Sequence, residues 1–163
     1  MAFTVQNNRI GVQAIDETST VQNHPLGTIV SATDATYGAG EFVYLSGLAS
    51  TAVGEWVTYN MDDGSSTLLA ANAIGPVGVS MSANVASQYG WYQISGKAVG
   101  LALASYADNA LVYATATAGS VDDAVVSGDR VKLAKGASAV DTPSTGYAEF
   151  EIHRPFMDDG SSA

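Results

Sequence analysis

The sequence has no cysteine and few basic residues. Six of its 163 residues are Lys or Arg and sixteen are Asp or Glu, so the formal net charge is -10 at pH 7. Without cysteine the chain forms neither a disulfide nor a thiolate zinc site. The acidic excess opposes binding to nucleic acid, because that binding draws its affinity from Lys and Arg side chains that release counterions.

Long apolar runs are also missing. No run approaches the roughly 18 apolar residues of a membrane-spanning helix, and the first residues, MAFTVQNNRIG, lack the basic and apolar regions of a signal peptide. We therefore expect a soluble protein that binds no membrane. Hydrophobic residues make up 47% of the chain and charged residues 13%, which is typical of a folded domain and not of a disordered chain.

Glycine punctuates segments that are rich in Val, Ile, Thr, Tyr and Trp, as is typical of many short strands. Apolar residues alternate with small or charged ones in residues 76–82 (PVGVSMS) and 147–154 (YAEFEIHR), and this period of two indicates half-buried strands. The dipeptide Asp63-Gly64 favours a tight hairpin turn. We predict an all-β fold, either a small antiparallel β-barrel or a β-tulip or sandwich.

Composition divides the chain into three parts. Residues 1–30 are polar and have few aromatic rings, which predicts an extended N-terminal arm that packs on something other than its own core; a frayed terminus is the alternative. Residues 31–156 are predicted to form the β-barrel domain. Residues 157–163 repeat the low-complexity sequence MDDGSS and are predicted to form a flexible C-terminal tail.

Motifs for enzyme chemistry are incomplete. GVSMS lacks the last glycine of a serine-hydrolase elbow, and GAGEFV has Val43 where a dinucleotide-binding loop has its third glycine. In NMDDGSS the Asp spacing is wrong for a calcium loop, and Ala71 stands where the bidentate Glu is needed. We expect no enzymatic activity and no cofactor.

One group of metal-ligand types lies near the end of the chain. Glu149, Glu151 and His153 fall on one face of a strand. Neighbouring side chains on that face are roughly 7 Å apart, which is wide for one ion, and the solvent face of an edge strand is normally charged. We therefore expect a solvated face and no metal. His24 precedes Pro25 and is interpreted as a turn residue.

The segment WYQISGKAV is the most aromatic part of a candidate strand. Alternation places Tyr92, Ile94 and Ala98 on one face and Trp91, Gln93, Ser95 and Lys97 on the other. The first set suits a core, and Trp on a polar face is typical of protein interfaces. Two alternatives remain open: a Trp that covers the barrel mouth without a partner, and a carbohydrate-stacking platform.

Several segments together resemble one family. The order HPLGTIVSATD, GAGEFVYLSGLAST, GEWVTYN, AIGPVGVSMSANVASQYGWYQISGKAV and ATATAGSVDDAV resembles small structural proteins that decorate or cement the capsids of tailed double-stranded DNA phages. The part GPVGV…YGWYQISGKA is similar to the small β-barrel, or tulip, domains of lambda-like decoration proteins. The resemblance spans residue 24 to about residue 154 and rests on glycine placement and aromatic strands.

The resemblance implies a virion protein that is assembled in the host cytoplasm and binds the major capsid protein on the outer surface of the head. Such proteins lie at capsomer junctions, commonly as homotrimers, with an N-terminal segment on the shell. The implied interface residues are Phe3, Val5, Arg9, Ile10 and Val12 in the arm, and Trp91 and Gln93 in the strand. The alternative function is a glycan- or receptor-binding module on a virion or cell surface, which would leave an aromatic and acidic cleft open; an unrecognised hydrolase comes third.

Overall fold

The computed structural model describes residues 1–5, 11–48 and 50–158. Within these residues the regular secondary structure consists of eleven β-strands and no helix, so the all-β prediction is confirmed. None of the described segments is a helix long and apolar enough to cross a membrane. The strands are β1 (Thr4–Val5), β2 (Ile29–Asp34), β3 (Gly38–Ser46), β4 (Trp56–Tyr59), β5 (Ser66–Leu68), β6 (Ile74–Ser80), β7 (Tyr89–Leu101), β8 (Leu111–Ala114), β9 (Val121–Asp122), β10 (Arg130–Gly136) and β11 (Tyr147–Asp158).

The strands form one antiparallel sheet with the order β1-β2-β3-β7-β6-β11-β10-β8-β9. The β4–β5 hairpin is attached to it through the pairing of β4 with β6. The sheet does not close on itself, so an open or sandwich-like arrangement fits and a closed barrel does not.

Strand β7, the longest strand with 13 residues, joins β3 on one edge to β6 and β11 on the other. Along one edge, residues 89–96 pair with β3. Along the other edge, residues 92–93 pair with β6 and residues 95–101 pair with β11. Gly96 pairs with both Gly40 of β3 and Ile152 of β11, and it has a φ of 100°, a left-handed conformation that glycine adopts without steric cost. The two parts of the sheet therefore share this one strand.

Three buried clusters surround β7. The first contains Trp56, Tyr106 and Phe150 and lies beneath β4, β6, β8, β10 and β11. The second contains Phe42, Tyr44 and Trp91, and the third contains Val43, Tyr92 and Ile94. Because Trp91 and Tyr92 point to opposite faces and are both fully buried, β7 has a core on each side.

Alternation along β11 is confirmed. Ala148, Phe150 and Ile152 are buried, Glu149 is half-buried, and Glu151 and His153 are exposed. The half-buried strand predicted over residues 76–82 is wrong, since residues 77–82 are all buried. The reason is that β6 pairs with β4, β7 and β11 and lies inside the sheet, with packed side chains on both faces.

The prediction that the N-terminal segment packs away from its own core is wrong for the described residues. The Phe3 ring contacts the Phe42 ring edge-on, with centroids 4.8 Å apart, and Ile15 is 2% exposed in the second cluster. Without this segment, the face of the sheet that carries Trp91 would be open to water.

The predicted C-terminal tail begins at Met157, but β11 continues through this residue and its side chain is fully buried. Residues 159–163 lie outside the described residues.

The hairpin predicted at Asp63-Gly64 joins β4 to β5, but its loop is longer than a two-residue turn. Residues 60–65 connect the strands, and the Asn60 amide donates to the Ser65 oxygen at 2.9 Å. The carboxylate of Asp63 accepts a bond from the Ser65 amide at 2.9 Å, and Gly64 has a φ of 67°. The loop thus projects beyond the sheet and forms one wall of a groove described below.

Candidate protein-binding surfaces

Trp91 does not lie on an outward polar face, so that prediction is wrong. Its side chain is fully buried, and its Nε1 donates a hydrogen bond to the Gln13 oxygen at 3.0 Å. The indole packs against the rings of Tyr44 and His24, with centroids 4.9 and 5.4 Å away. The residues that follow the N-terminal strand cover this face of β7. Trp91 therefore offers no surface to a partner in this fold.

Gln93 is also fully buried. Its Nε2 donates to the backbone oxygens of Ser95 at 3.1 Å and Lys97 at 3.2 Å. These bonds brace β7 where its register with β3 shifts, between Glu41 and Phe42. Gln93 thus supports the bend of the strand from inside and is not a contact residue on the surface.

The predicted anchors in the arm are divided between packed and undescribed positions. Phe3 and Val12 are half-buried and pack against the second cluster. Val5 belongs to β1, which pairs with β2, and its side chain lies outside the described part of the chain. Arg9 and Ile10 lie outside the described residues altogether.

The acidic and histidine residues of β11 are placed as predicted on one face, but one of them has a cationic partner. The carboxylate of Glu149 forms an ion pair with Lys97 Nζ at 2.6 Å, and Lys97 also lies over the Tyr37 ring at 5.8 Å. In the described ranges no group of three or more His, Cys, Asp or Glu side chains is arranged to hold a metal ion.

A concave surface of about 570 Å³, here called the hairpin groove, lies between the β4–β5 hairpin and the start of β6. Its lining includes Thr58, Tyr59, Asn60, Met61, Thr67 and Ile74. Met61 is 58% exposed and Ile74 is 65% exposed. Phe156, which is 42% exposed, extends the apolar edge because it pairs with Pro76 across β11 and β6. The Tyr59 ring is half-buried, and this burial raises the pKa of its hydroxyl.

A second concave surface of about 430 Å³, here called the β10 groove, lies on the outer face of β10 and β11. It is lined by Leu111, Arg130, Leu133, Lys135, Glu151 and His153, with Ala134 and Ile152 at its base. Four of the six Lys and Arg residues of the chain lie on these two strands: Arg130, Lys132, Lys135 and Arg154. This concentration of positive charge contrasts with the net charge of -10.

An irregular backbone presents Leu133 at this second surface. Lys132 pairs with Phe156 and Ala134 pairs with Ile152. An advance of two residues along β10 therefore corresponds to an advance of four residues along β11. Leu133 and Arg154 both have left-handed backbones, with φ of 60° and 50°, which is uncommon for residues other than glycine. The bulge breaks the in-and-out alternation and leaves the Leu133 side chain 62% exposed.

Sequence reasoning missed both grooves. The sequence does contain a signal for the β10 groove, since three of six basic residues fall within RVKLAK at residues 130–135. The hairpin groove had no comparable signal, because Met61 and Ile74 are brought together by the pairing of β4 with β6.

A comparison of the chain with protein family models finds no match, and a comparison with curated proteins finds none either.

Proposed function

We propose that the protein is a structural component of a tailed-phage head that binds the outer surface of the capsid at capsomer junctions and stabilises the shell. The proposal starts from the resemblance over residue 24 to about residue 154. The observation that carries it further is the hairpin groove, whose edge exposes Met61, Ile74 and Phe156 on a domain with a densely buried centre.

The chemistry of the groove suits a protein partner. Met and aromatic side chains are enriched in protein interfaces. Adjacent exposed apolar side chains are typical of surfaces that bind a partner. Since Phe3 and Val12 pack on the chain's own core, the proposed contact with the major capsid protein moves from these arm residues to the hairpin groove. In this proposal the protein acts on the virion surface after assembly in the host cytoplasm, and the resemblance implies a homotrimer.

The test uses phage heads prepared without this protein. Wild-type protein should sediment with the heads and raise the temperature at which they release DNA. The double variant Met61→Ser, Ile74→Ser should bind at least about tenfold more weakly, since central apolar contacts each contribute on the order of 1–2 kcal/mol to such interfaces. Ile29→Ser is the matched control, because Ile29 is 38% exposed on the distant strand β2. Wild-type protein that stays in the supernatant would contradict the proposal.

A second candidate function is glycan binding at the same groove. It is favoured by Tyr59, a half-buried ring that is surrounded by the hydroxyl and amide groups of Thr58, Asn60 and Thr67. Sugars stack on such rings and bond to such groups. Binding to a glycan array that Tyr59→Ala abolishes, together with unchanged binding to heads, would favour this function over the first.

A further inference from the structure

We infer that the β10 groove binds a second copy of this chain, through an acidic and apolar surface formed by Asp108, Asp122, Asp123, Val125 and Val126. We call this second surface the acidic loop. The inference goes beyond the proposed function because it identifies the two surfaces through which copies meet, and it is argued from those surfaces and not from capsid binding or from the resemblance.

The β10 groove combines positive charge with exposed apolar area. Arg130 and Lys135 are exposed at its edges, while Leu111 and Leu133 are 41% and 62% exposed within it. Glu151 is the single carboxylate of the lining. A complementary partner must therefore supply negative charge together with apolar side chains.

The acidic loop has this composition. Val125 is 79% exposed and Val126 is 45% exposed, which makes Val125 the most exposed of the large hydrophobic residues described. The carboxylates are held on neighbouring segments: Asp123 accepts a hydrogen bond from the backbone amide of Ala107, next to Asp108, at 2.9 Å, and Asp122 pairs with Tyr113 of β8. Apolar and acidic groups thus share one surface.

The loop does not fill the groove of its own chain. Residues 123–129 lead directly from β9 into Arg130 at the start of β10, and Val125 remains exposed in this arrangement. Contact between the two surfaces consequently needs two copies, and it joins different surfaces on each of them. Such a head-to-tail contact repeats, and it ends in a ring when the rotation between copies closes.

Opposite charge also explains how copies with a net charge of -10 would approach each other. Two chains with this charge repel over long distances. Placing the basic strands of one copy against the carboxylates of the next brings the unlike charges closest together, where attraction exceeds the repulsion between the more distant charges. Added salt screens such contacts between exposed charges.

The bulge at Leu133 supports a binding role for the groove. A left-handed backbone is sterically unfavourable for a leucine, and here it turns an apolar side chain outward instead of into the core. Arg154 has the same conformation opposite it and donates from Nε and an Nη atom to Glu41, each at 3.2 Å. This exposed ion pair connects the β11 side of the bulge to β3.

The test is self-association measured by sedimentation velocity over a range of concentrations. Wild-type protein should gain mass with concentration at low salt and lose at least about tenfold in affinity when salt is raised to about 0.5 M. The groove variant Arg130→Glu, Lys135→Glu and the loop variant Asp108→Lys, Val125→Lys should each stay monomeric. An equimolar mixture of the two variants should associate again, because each supplies the surface that the other needs.

The control variant Asp62→Lys, Val85→Lys changes the net charge as the loop variant does, at exposed positions on other loops, and should associate like wild type. Circular dichroism melts establish that each variant folds; the single variants Lys135→Glu and Val125→Lys make the same test if a double variant does not. Wild-type protein that is monomeric at about 1 mM, where even millimolar affinity is visible, would overturn the inference, as would a mixture that stays monomeric.

Discussion

The Nε1 of Trp91 donates a hydrogen bond to the backbone oxygen of Gln13, 78 positions earlier in the chain, at 3.0 Å. The Gln13 side chain makes four further hydrogen bonds. Its Oε1 accepts from the Tyr44 hydroxyl at 2.9 Å and from Asn23 Nδ2 at 3.0 Å. Its Nε2 donates to the backbone oxygens of Glu17 and Tyr89. One glutamine therefore joins the N-terminal segment to the aromatic cluster beneath it.

Gln13→Ala is expected to lower the free energy of unfolding by about 2–3 kcal/mol. The substitution removes four side-chain hydrogen bonds and leaves buried groups such as the Tyr44 hydroxyl with fewer partners, which is more costly than the loss of an exposed bond. Gln22→Ala is the control, because Gln22 is exposed and makes one bond to the His24 oxygen; it should change stability by no more than about 0.5 kcal/mol. Urea titrations of both variants measure the difference, and equal midpoints would contradict the role of Gln13.

The contrast between β11 and β7 explains how far the sequence predicts this fold. In β11 one face meets the core and the other meets water, so charged and apolar residues alternate and the pattern can be interpreted directly. In β7 both faces are packed, and Gln93 is buried as deeply as Tyr92. A period of two then carries no information about which face is inside, and assigning the polar residues to the outside leads to the wrong position for Trp91.

The N-terminal segment was mispredicted for a related reason. Gln13 and Asn23 make the segment polar in composition, but both bind polar groups of the buried cluster. The Gln13 side chain accepts from the Tyr44 hydroxyl and its backbone oxygen accepts from Trp91 Nε1, while the Asn23 backbone N–H donates to the Tyr44 hydroxyl. Buried Tyr and Trp need such partners, and the sequence does not show which polar residues supply them. The exposed apolar side chains of the two grooves could not be predicted from the sequence either, because strand pairing and a bulge determine which apolar side chains stay exposed.

Trp91→Ala is expected to destabilise the protein by about 3–5 kcal/mol, as truncation of a fully buried aromatic residue does. The sequence alone predicts a nearly intact fold for this variant, because it places Trp91 on an outer face. Ile94→Asp should be at least as harmful, since it buries a charge at a site that is 1% exposed. Val125→Ala, at the most exposed of these positions, is the control and should melt like wild type. If Trp91→Ala also melts like wild type, Trp91 is not a core residue.

Gly100→Ala is expected to destabilise the first cluster because the space beside Gly100 is occupied by an indole. A Cβ atom at Gly100 would lie 2.6 Å from Trp56 Nε1, and overpacking of this kind costs about 1–3 kcal/mol. Trp56 cannot move away easily, since its ring is fully buried and packs edge-on against Phe150 at 4.9 Å.

A double-mutant cycle with Trp56→Phe tests this cause. The smaller ring removes the atom that Ala would meet, and it also removes a buried N–H group that has no hydrogen-bond partner among the described residues. The double variant should therefore be more stable than the sum of the two single effects predicts, by about 1 kcal/mol. Additive effects would mean that Ala at Gly100 is harmful for a different reason.

Alkaline pH is expected to destabilise the protein because burial raises the pKa of several tyrosines. The affected residues are Tyr37, Tyr44, Tyr59, Tyr92 and Tyr106. An unfolded tyrosine ionises near pH 10, whereas these hydroxyls hold their proton to higher pH in the folded chain. The unfolded state thus binds fewer protons above pH 10, so the stability linked to these groups is fully present below that pH and is lost as the pH rises through the raised pKa values.

Tyr92 is the sharpest case to measure. Its hydroxyl accepts a hydrogen bond from Asn84 Nδ2 at 3.1 Å, and burial is the largest cause of its raised pKa. The free energy of unfolding, taken from urea titrations, should be level between about pH 7 and pH 9 and fall steeply above pH 10, by up to about 1.4 kcal/mol per pH unit for each tyrosine that is protonated only when folded. Tyr92→Phe should be less stable at neutral pH but fall less steeply. A wild-type stability that stays level through pH 12 would contradict the burial of these hydroxyls.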